Sequence, residues 1–458
     1  MTPGPSSAVP RLRPAEWWTL IILLTIYALA YLDRQILTLL VDPIRADLGV
    51  SDVEMGFLQG LGFTLFFALC GPFVGWTVDR YNRRLIIFTG IVIWSLSTAS
   101  SAFANSYGQL LLARFGVGAG EAALLPAAYS IISDMVDKSR LGRAMAIFSL
   151  GSIVGASLSY AVGGALVSYV GALDGIAFAG FGALRDWQLV FLAIGAVGLP
   201  LAFLVFAFPD PGRRRSTTTR ALTASASQRH FTQHWRFYAC HFSAFSLFCF
   251  LSAATTAWSA TYMMREFGWT PAGVGALLGI KTLVAGALGM IGSGLIADWL
   301  IKRGRQDAHL RMYLYILPIH GLAGIIAFLT SNMWVAFAAL SVVSLISPFI
   351  AVAAAALQLA TIPTRRGIAS ATFLLVYNLI GFGLGPPAIA LASRWMLGDN
   401  ANLGPAMAPA FGVFPPVIMI LLALGMAPMR KAVADVANCS NFERYGPIPP
   451  VQSTAKAD

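Results

Sequence analysis

Four charged side chains fall inside long apolar stretches of this chain. Asp33 and Arg34 interrupt the first stretch, and Arg114 and Glu121 flank the glycine-rich run RFGVGAGE in a later one. A charged group at bilayer depth costs about 2.5–3.5 kcal/mol on insertion scales, so such groups usually face a cavity and act there. Two acids and two bases exceed what one helix-locking ion pair needs, although such a lock is the alternative. We therefore expect the four residues to handle protons or bind charged ligands.

The spacing of Arg114 and Glu121 places them on one helix face. Seven residues make about two helical turns, which separates the two side chains by about 10 Å along the axis. Gly116, Gly118 and Gly120 lie between them and let another helix approach closely. Burial disfavours the charged form of a carboxyl, whereas an adjacent arginine favours it. An acid between these opposing effects can change protonation when a helix moves, as proton coupling requires.

The composition indicates a membrane protein. The 458-residue chain is 57% hydrophobic and only 11% charged, whereas soluble domains carry about 25% charged residues. Runs of about 20 apolar residues, which can cross the hydrocarbon core as helices, recur throughout. We predict twelve spans, roughly at residues 16–40, 52–78, 85–104, 108–132, 143–169, 187–208, 236–263, 271–299, 310–330, 333–360, 367–393 and 408–428.

The positive charges are distributed unevenly between the loops. The net charge is +11, but with the amino terminus inside, most Lys and Arg residues lie in cytoplasmic segments. Those on the opposite side are Arg45, Arg185, Arg265 and Arg394. This is the positive-inside rule. It predicts both termini in the cytoplasm of a multi-pass protein of the cell membrane (the inner membrane in a bacterium), and it removes the case for nucleic-acid binding.

One long polar interruption divides the chain. Residues 209–235 read as a flexible cytoplasmic linker. It separates an amino-terminal six-helix bundle, residues 1–208, from a carboxy-terminal bundle, residues 236–428. A polar cytoplasmic tail follows at 429–458.

A motif at the end of the second predicted span is partly repeated in the second half. It consists of Gly75, Asp79, Arg80, Arg83 and Arg84, and its Gly and Asp recur 219 residues later as Gly294 and Asp298. Parallel six-plus-six repeats are typical of one large class of transporters. The aspartate can close a helix end, and the arginines can pair with it and with helix carbonyl ends across the halves. We expect a gate here, although a basic loop that only sets topology is the alternative.

This pattern, G-x-x-x-D-R-x-x-R-R, resembles the signature of the major facilitator superfamily. Asn82 stands where a glycine is usual, and Trp299 replaces the arginine in the second copy. Within that superfamily, roughly residues 27–165 resemble the spinster family of lipid transporters, whose pattern Asn82 fits. The matching stretches are 31–34, 79–83, 90–95 and 114–122.

The resemblance implies an all-α membrane protein with twelve transmembrane helices in two six-helix bundles. It further implies proton-coupled movement of lysophospholipids or phosphorylated sphingoid bases by alternating access. Asp33 and Glu121 would then be the protonatable pair, with Arg34 and Arg114 as their charge partners. A drug or organic-anion efflux carrier of the same superfamily is the alternative.

Several other residues within the spans are candidates to line a substrate cavity: Trp258, Lys281, His320, Tyr377 and Asn378. Lys281 could bind a phosphate or carboxylate headgroup, or it could snorkel or pair with a carbonyl. His320 is more typical of a packing residue, and Asn378 could equally bridge helices. Embedded amides are few, which disfavours sugars, whereas the plentiful aromatic residues favour an amphipathic substrate.

Enzyme chemistry is not expected. The sequence has no metal-ligand spacing, nucleophile elbow or phosphate loop. We expect a transporter that uses the proton gradient without a metal or other cofactor. Its partners would be one small amphipathic lipid and the surrounding membrane lipids, and it would act as a monomer.

Overall fold

The computed structural model describes residues 12–137, 140–172, 177–178, 182–212, 231–348, 350–362, 365–398 and 403–445. These residues are almost wholly helical. The strands β1 (Ala177–Phe178) and β2 (Gly182–Ala183) form one short antiparallel pair. The helices of the amino-terminal half are α1 (Pro14–Ile36), α2 (Val41–Leu48), α3 (Asp52–Gln59), α4 (Leu61–Val78), α5 (Arg83–Ser101), α6 (Tyr107–Glu121), α7 (Leu124–Met135), α8 (Leu141–Val170) and α9 (Asp186–Ala202).

The described part of the carboxy-terminal half is also helical. Its helices are α10 (Trp235–Phe267), α11 (Pro271–Lys302), α12 (Ala308–Leu329), α13 (Met333–Ile346), α14 (Ile350–Leu359), α15 (Arg366–Val376), α16 (Leu384–Leu397) and α17 (Gly404–Tyr445). Across the described residues of both halves, twelve helical segments are long and apolar enough to cross a membrane. The predicted all-α fold with twelve spans is therefore confirmed.

The last span differs from its predicted extent. The helix α17 continues to Tyr445, well past the predicted end of the span at residue 428. The greater part of the predicted linker, residues 213–230, lies outside the described residues. The domain boundaries given above stay predictions.

The two halves pack along two seams that depend on glycine. In the first, the Ser157 hydroxyl of α8 donates to the Gly279 carbonyl of α11 at 2.8 Å. In the second, α3 packs on α16, where a Cβ at Gly56 would come within 2.7 Å of the Pro387 Cα. A larger side chain at such a contact would push the backbones apart, so small residues fit these helix interfaces.

Two of the spanning segments are irregular where they meet. The second span breaks between α3 and α4 at Gly60 (φ −95°, ψ −92°). The eleventh opens into a π-helix, Tyr377–Gly383, between α15 and α16. A Cβ at Gly60 would lie 3.0 Å from the Phe382 carbonyl oxygen. π-helical turns are frequent at functional sites, and this one lies at the interface between the halves.

Candidate functional site: four buried charges

The four charged residues singled out from the sequence come together in the amino-terminal half. Asp33 and Arg34 lie near the end of α1, whereas α6 carries Arg114 and ends at Glu121. Three of the side chains are almost fully buried, but that of Arg34 is 17% exposed. We call these four residues the charge quartet.

The ion pairs of the quartet cross between α1 and α6. Arg34 Nη2 donates to Glu121 Oε2 at 2.5 Å. Arg114 Nη1 lies 4.0 Å from Asp33 Oδ1, which is an ion pair without a hydrogen bond. Asp33 instead accepts a hydrogen bond of 2.5 Å from the hydroxyl of Thr98 on α5. Each base thus faces the acid of the other helix, and the quartet is neutral when both acids are ionised.

Glycines allow the helices around the quartet to approach closely. A Cβ at Gly120 would lie 2.7 Å from both the Gly90 carbonyl oxygen and the Trp94 nitrogen of α5. The expected close approach of another helix to the glycine run of α6 is therefore present. It brings Thr98, which the sequence analysis did not select, within reach of Asp33.

Aromatic rings cover the two guanidinium groups. Arg34 Cζ lies 4.1 Å from the centre of the Phe63 ring, 5.0 Å from Tyr31 and 5.6 Å from Phe67. Arg114 Cζ lies 4.8 Å from the Phe191 ring. Cation–π contacts of this kind stabilise a charge that water no longer solvates. The rings also give the surroundings of Arg34 an apolar wall next to a positive charge.

The quartet has unused hydrogen-bonding capacity. Among the described residues, Asp33 Oδ1, Glu121 Oε1 and Arg114 Nη2 are buried without a hydrogen-bond partner. Buried polar atoms of this kind are costly to leave unpaired. A proton on either acid would convert one of these acceptors into a donor, and a polar group of a ligand would supply a missing partner. The arrangement is thus suited to a change of protonation that rearranges the ion pairs.

The five cavity candidates do not join the quartet as one group. Tyr377 is buried, and its ring packs against those of Phe373 and Phe382 with centroids 5.5 and 5.9 Å away. Asn378, beside it, donates to the Leu374 carbonyl of its own helix at 2.7 Å. Asn378 is therefore engaged locally in this conformation.

Trp258 and His320 lie in the packed core of the second half. The indole of Trp258 is fully buried and donates to the Pro386 carbonyl of α16 at 2.9 Å. His320 is also fully buried, between the rings of Phe248 and Phe411, and neither ring nitrogen has a hydrogen-bond partner in the described structure. Neither side chain lines an open cavity here.

Lys281 is different from these residues. It lies on α11, is 8% exposed, and has no ion pair or hydrogen bond within the described residues. Lys281 is thus a buried cation without a counter-charge in the described part of the chain.

The gate motif makes its contacts inside the amino-terminal half. Arg83 is buried. It pairs with Asp134 near the end of α7 and with Asp210, which follows α9 in the chain. Arg84 donates to the Phe208 carbonyl at 2.9 Å, and Asn82 caps α5 by accepting from the Arg84 nitrogen. The motif therefore binds the α4–α5 loop to two neighbouring helix ends. Its expected contacts across the halves are not among those observed in this conformation.

A network at the opposite end joins the halves, and the sequence analysis did not identify it. Arg265 at the end of α10 bonds to Asp42 of α2 at 2.6 Å and to Asp52 of α3 at 2.8 Å. Arg45 also lies 3.1 Å from Asp52. We call these four residues the outer lock, since the charge asymmetry predicts that this end faces outside. The signal in the sequence was the alternation of acids and bases at 42, 45 and 52 opposite Arg265.

Comparisons with known proteins agree with this architecture. Residues 23–386 match the family model of the Major Facilitator Superfamily. Protein spinster of Drosophila melanogaster is 24% identical over 405 residues, which are 85% of this chain and 64% of that protein. The chain thus spans less than two thirds of that relative. An MFS-type efflux pump of Mycolicibacterium smegmatis is 27% identical over 435 residues, 93% of this chain and 96% of that protein.

The fold is also similar to that of solved structures. The crystal structure of a bacterial homolog to the human lysosomal transporter Spinster, in an inward-facing and unoccupied conformation, matches with a TM-score of 0.73 and 24% identity. The match covers 93% of this chain and 99% of that one. The chain therefore belongs to the Major Facilitator Superfamily and is a spinster-like, multi-pass membrane transporter rather than an enzyme.

Proposed function

We propose that this transporter moves amphipathic, lipid-like anions by proton-coupled alternating access. The substrates would be lysophospholipids or phosphorylated sphingoid bases. The observation that carries the proposal is the charge quartet, whose two acids are buried, paired across two helices and incompletely hydrogen-bonded. Such intramembrane acids are typical of proton relays in transporters.

Proton uptake on Glu121 would change the pairing of the quartet. The Glu121 side chain is 1% exposed and its charge is matched by Arg34 at 2.5 Å. Once Glu121 is neutral, the quartet carries a net positive charge and Arg34 loses its partner. The guanidinium then has a planar fork of donors available for phosphate or carboxylate oxygens. Protonation and headgroup binding would thereby be coupled.

The surroundings of Arg34 suit an amphipathic molecule. Its guanidinium is the most exposed of the four charges, and the rings of Tyr31, Phe63 and Phe67 lie within 5.6 Å of it. A substrate with an anionic head and an apolar chain can use both features at once. The spinster-like character of the chain favours the same class of substrate.

The proposal also includes the setting in which transport occurs. Both termini would lie in the cytoplasm, as the distribution of positive charges favours. Both halves of the carrier belong to one chain, so a monomer suffices. The energy would come from the proton gradient, with no metal or other cofactor.

A drug or organic-anion efflux carrier is the second candidate. Its specific support is the similarity over nearly the whole chain to the Mycolicibacterium smegmatis efflux pump. A single buried lysine and two arginines would serve a carboxylate as well as a phosphate. The two candidates share proton coupling. They differ in the size and apolar character of the substrate.

Transport by the purified protein in liposomes tests both candidates. We expect saturable uptake of labelled lysophospholipid that accelerates under an imposed pH gradient, with the lipid recovered unchanged. An uncharged monoacylglycerol with the same chain serves as the control substrate. Uptake that ignores the gradient would contradict proton coupling. Gradient-driven uptake of small organic anions, with no movement of lysolipids, would favour the second candidate.

A further inference from the structure

Lys281 lies within the membrane-spanning helix α11, away from both of its ends. It lies ten residues after Pro271, where α11 begins, and that corresponds to a depth of about 15 Å along the helix axis. Its side chain extends about 6 Å and is buried within the protein, with 8% of the residue exposed. The side chain also has no carbonyl partner among the described residues.

The helical face that carries Lys281 is turned toward the protein. Leu278 and Ala285, one turn before and one turn after it, are buried with it, whereas the neighbours Ile280 and Leu283 are exposed to the surroundings of the helix. The same helix forms a seam between the halves, since Ser157 of α8 donates to Gly279. Lys281 is thus an interior residue at the level where the two halves meet.

Lys281 differs from the charges of the quartet because it has no partner of opposite charge among the described residues. The two acids and two bases of the quartet compensate one another. Lys281 has no such partner within the described residues, and no acidic residue perturbs it electrostatically. Burial of an uncompensated cation costs several kcal/mol. A negatively charged group of a bound molecule would offset this cost.

We propose that the missing counter-ion of Lys281 is the anionic headgroup of the transported substrate. This inference rests on the proposed function and names the residue that requires its substrate to carry net negative charge. Arg34 and Arg114 are already paired with carboxylates before substrate arrives, whereas Lys281 is not. Its compact ammonium donates hydrogen bonds to the oxygen atoms of phosphate and carboxylate alike. Lys281 therefore provides the standing attraction for the anion.

Binding to purified protein in detergent tests the inference. The ligands are lysophosphatidylglycerol, which is anionic, and monoacylglycerol of the same chain length, which is uncharged. We expect the parent to prefer the anion, K281Q to lose at least tenfold of that preference, and K281R to keep most of it. K302Q is the matched control, because Lys302 is an exposed lysine at the end of the same helix. An undiminished preference in K281Q would overturn the inference.

Lysine methylation gives a second measurement that requires no substitution. The chain has only five lysines, and Lys302 and Lys431 are exposed internal references. Lysophosphatidylglycerol should slow the reductive methylation of Lys281 relative to these references, and monoacylglycerol should not. Equal protection by both lipids, or by neither, would contradict a direct pairing of the headgroup with Lys281.

Two further comparisons identify the source of the anion and separate a failure of this inference from a failure of the proposed function. Repeating the measurement with a short organic carboxylate distinguishes a lipid phosphate from a free carboxylate, and protection by the carboxylate alone would favour the efflux candidate. If the parent binds lysophosphatidylglycerol and K281Q binds it equally, only the role of Lys281 fails. If the parent binds no lysolipid, the proposed lipid substrate fails.

Discussion

Arg34 on α1 and Glu121 on α6 are joined by a hydrogen bond of 2.5 Å, whereas Asp33, the chain neighbour of Arg34, lies against Arg114 of α6. Each helix therefore contributes one acid and one base, and each ion pair spans the interface between the two helices. A change of charge on either acid alters the attraction between α1 and α6. In a helix pair that lines the interior of a transporter, this relationship gives protonation a direct mechanical consequence.

Neutral replacements of the two acids should separate coupling from folding. We expect Glu121→Gln and Asp33→Asn each to abolish the acceleration of uptake by a pH gradient, because the titrating group is lost while side-chain volume is kept. The melting temperature should change far less than transport does. Gradient-driven uptake in proteoliposomes and thermal unfolding monitored by tryptophan fluorescence measure the two effects.

The matched control for these variants is Asp186→Asn, at an exposed aspartate in the first turn of α9. It should transport as the parent does. If Glu121→Gln or Asp33→Asn responded to the gradient like the parent, that acid would be a structural ion-pair partner only.

Replacement of the quartet arginines by lysine should weaken substrate binding although charge is kept. We expect Arg34→Lys to raise the Kd for lysophosphatidylglycerol by about tenfold, which corresponds to about 1.4 kcal/mol. The cause is loss of the planar fork and of its contact with the Phe63 ring at 4.1 Å. Arg114→Lys, whose side chain is buried against Phe191, provides the comparison. Unchanged binding in both variants would leave Lys281 as the sole cation for the headgroup.

Sequence patterns predict the spans and the four residues of the quartet, but they do not predict which acid pairs with which base. Periodicity and charge identify Asp33, Arg34, Arg114 and Glu121 because charges in apolar helices are rare. Which base faces which acid depends on the rotation of α1 against α6, and residue spacing within one helix carries no information about that rotation. Thr98 was missed for the same reason, since a hydroxyl in a helix is ordinary until a close approach gives it a partner.

The outer lock was missed for a different reason. Arg45 and Arg265 were counted among the positive charges of the outer side, where single basic residues are unremarkable. Their significance depends on the fold, which brings residues 42–52 beside the end of α10, more than 200 positions away. Conversely, Trp258 was selected because it is an aromatic residue within a span, but its N–H donates to the Pro386 carbonyl in the core.

Loss of the outer lock should favour opening of the outer end. Arg265→Gln removes hydrogen bonds to both Asp42 and Asp52, which hold α10 to α2 and α3. Exposed ion pairs contribute at most about 1 kcal/mol each, but an arginine that bridges two carboxylates contributes more. Spin labels at residues 105 and 331, on outer loops of the two halves, should report a larger population of long distances.

Arg185→Gln is the control for this experiment. Arg185 pairs with Asp47 at 2.7 Å, and both residues belong to the amino-terminal half. Its removal takes away an ion pair at the same end without touching the contact between halves. An equal shift in the two variants would mean that the distances respond to general loosening of the outer loops.

The final prediction concerns the gate motif, at the end that the charge asymmetry predicts to be cytoplasmic. Asp79 ends α4 beside Arg80, Arg83 and Arg84, and in this structure the motif contacts only its own half among the bonds observed. If it joins the halves when the carrier faces outward, its loss destabilises that state alone. A difference of about 1.4 kcal/mol between two states changes their ratio tenfold. Asp79→Asn should therefore shift the resting population toward the inward-open state, lengthening the distance between spin labels at residues 143 and 306. Arg83→Gln is the comparison, because it removes the ties of the α4–α5 loop to Asp134 and Asp210 and should lower the melting temperature as well. A distance distribution in Asp79→Asn identical to that of the parent at every pH would assign the motif to topology.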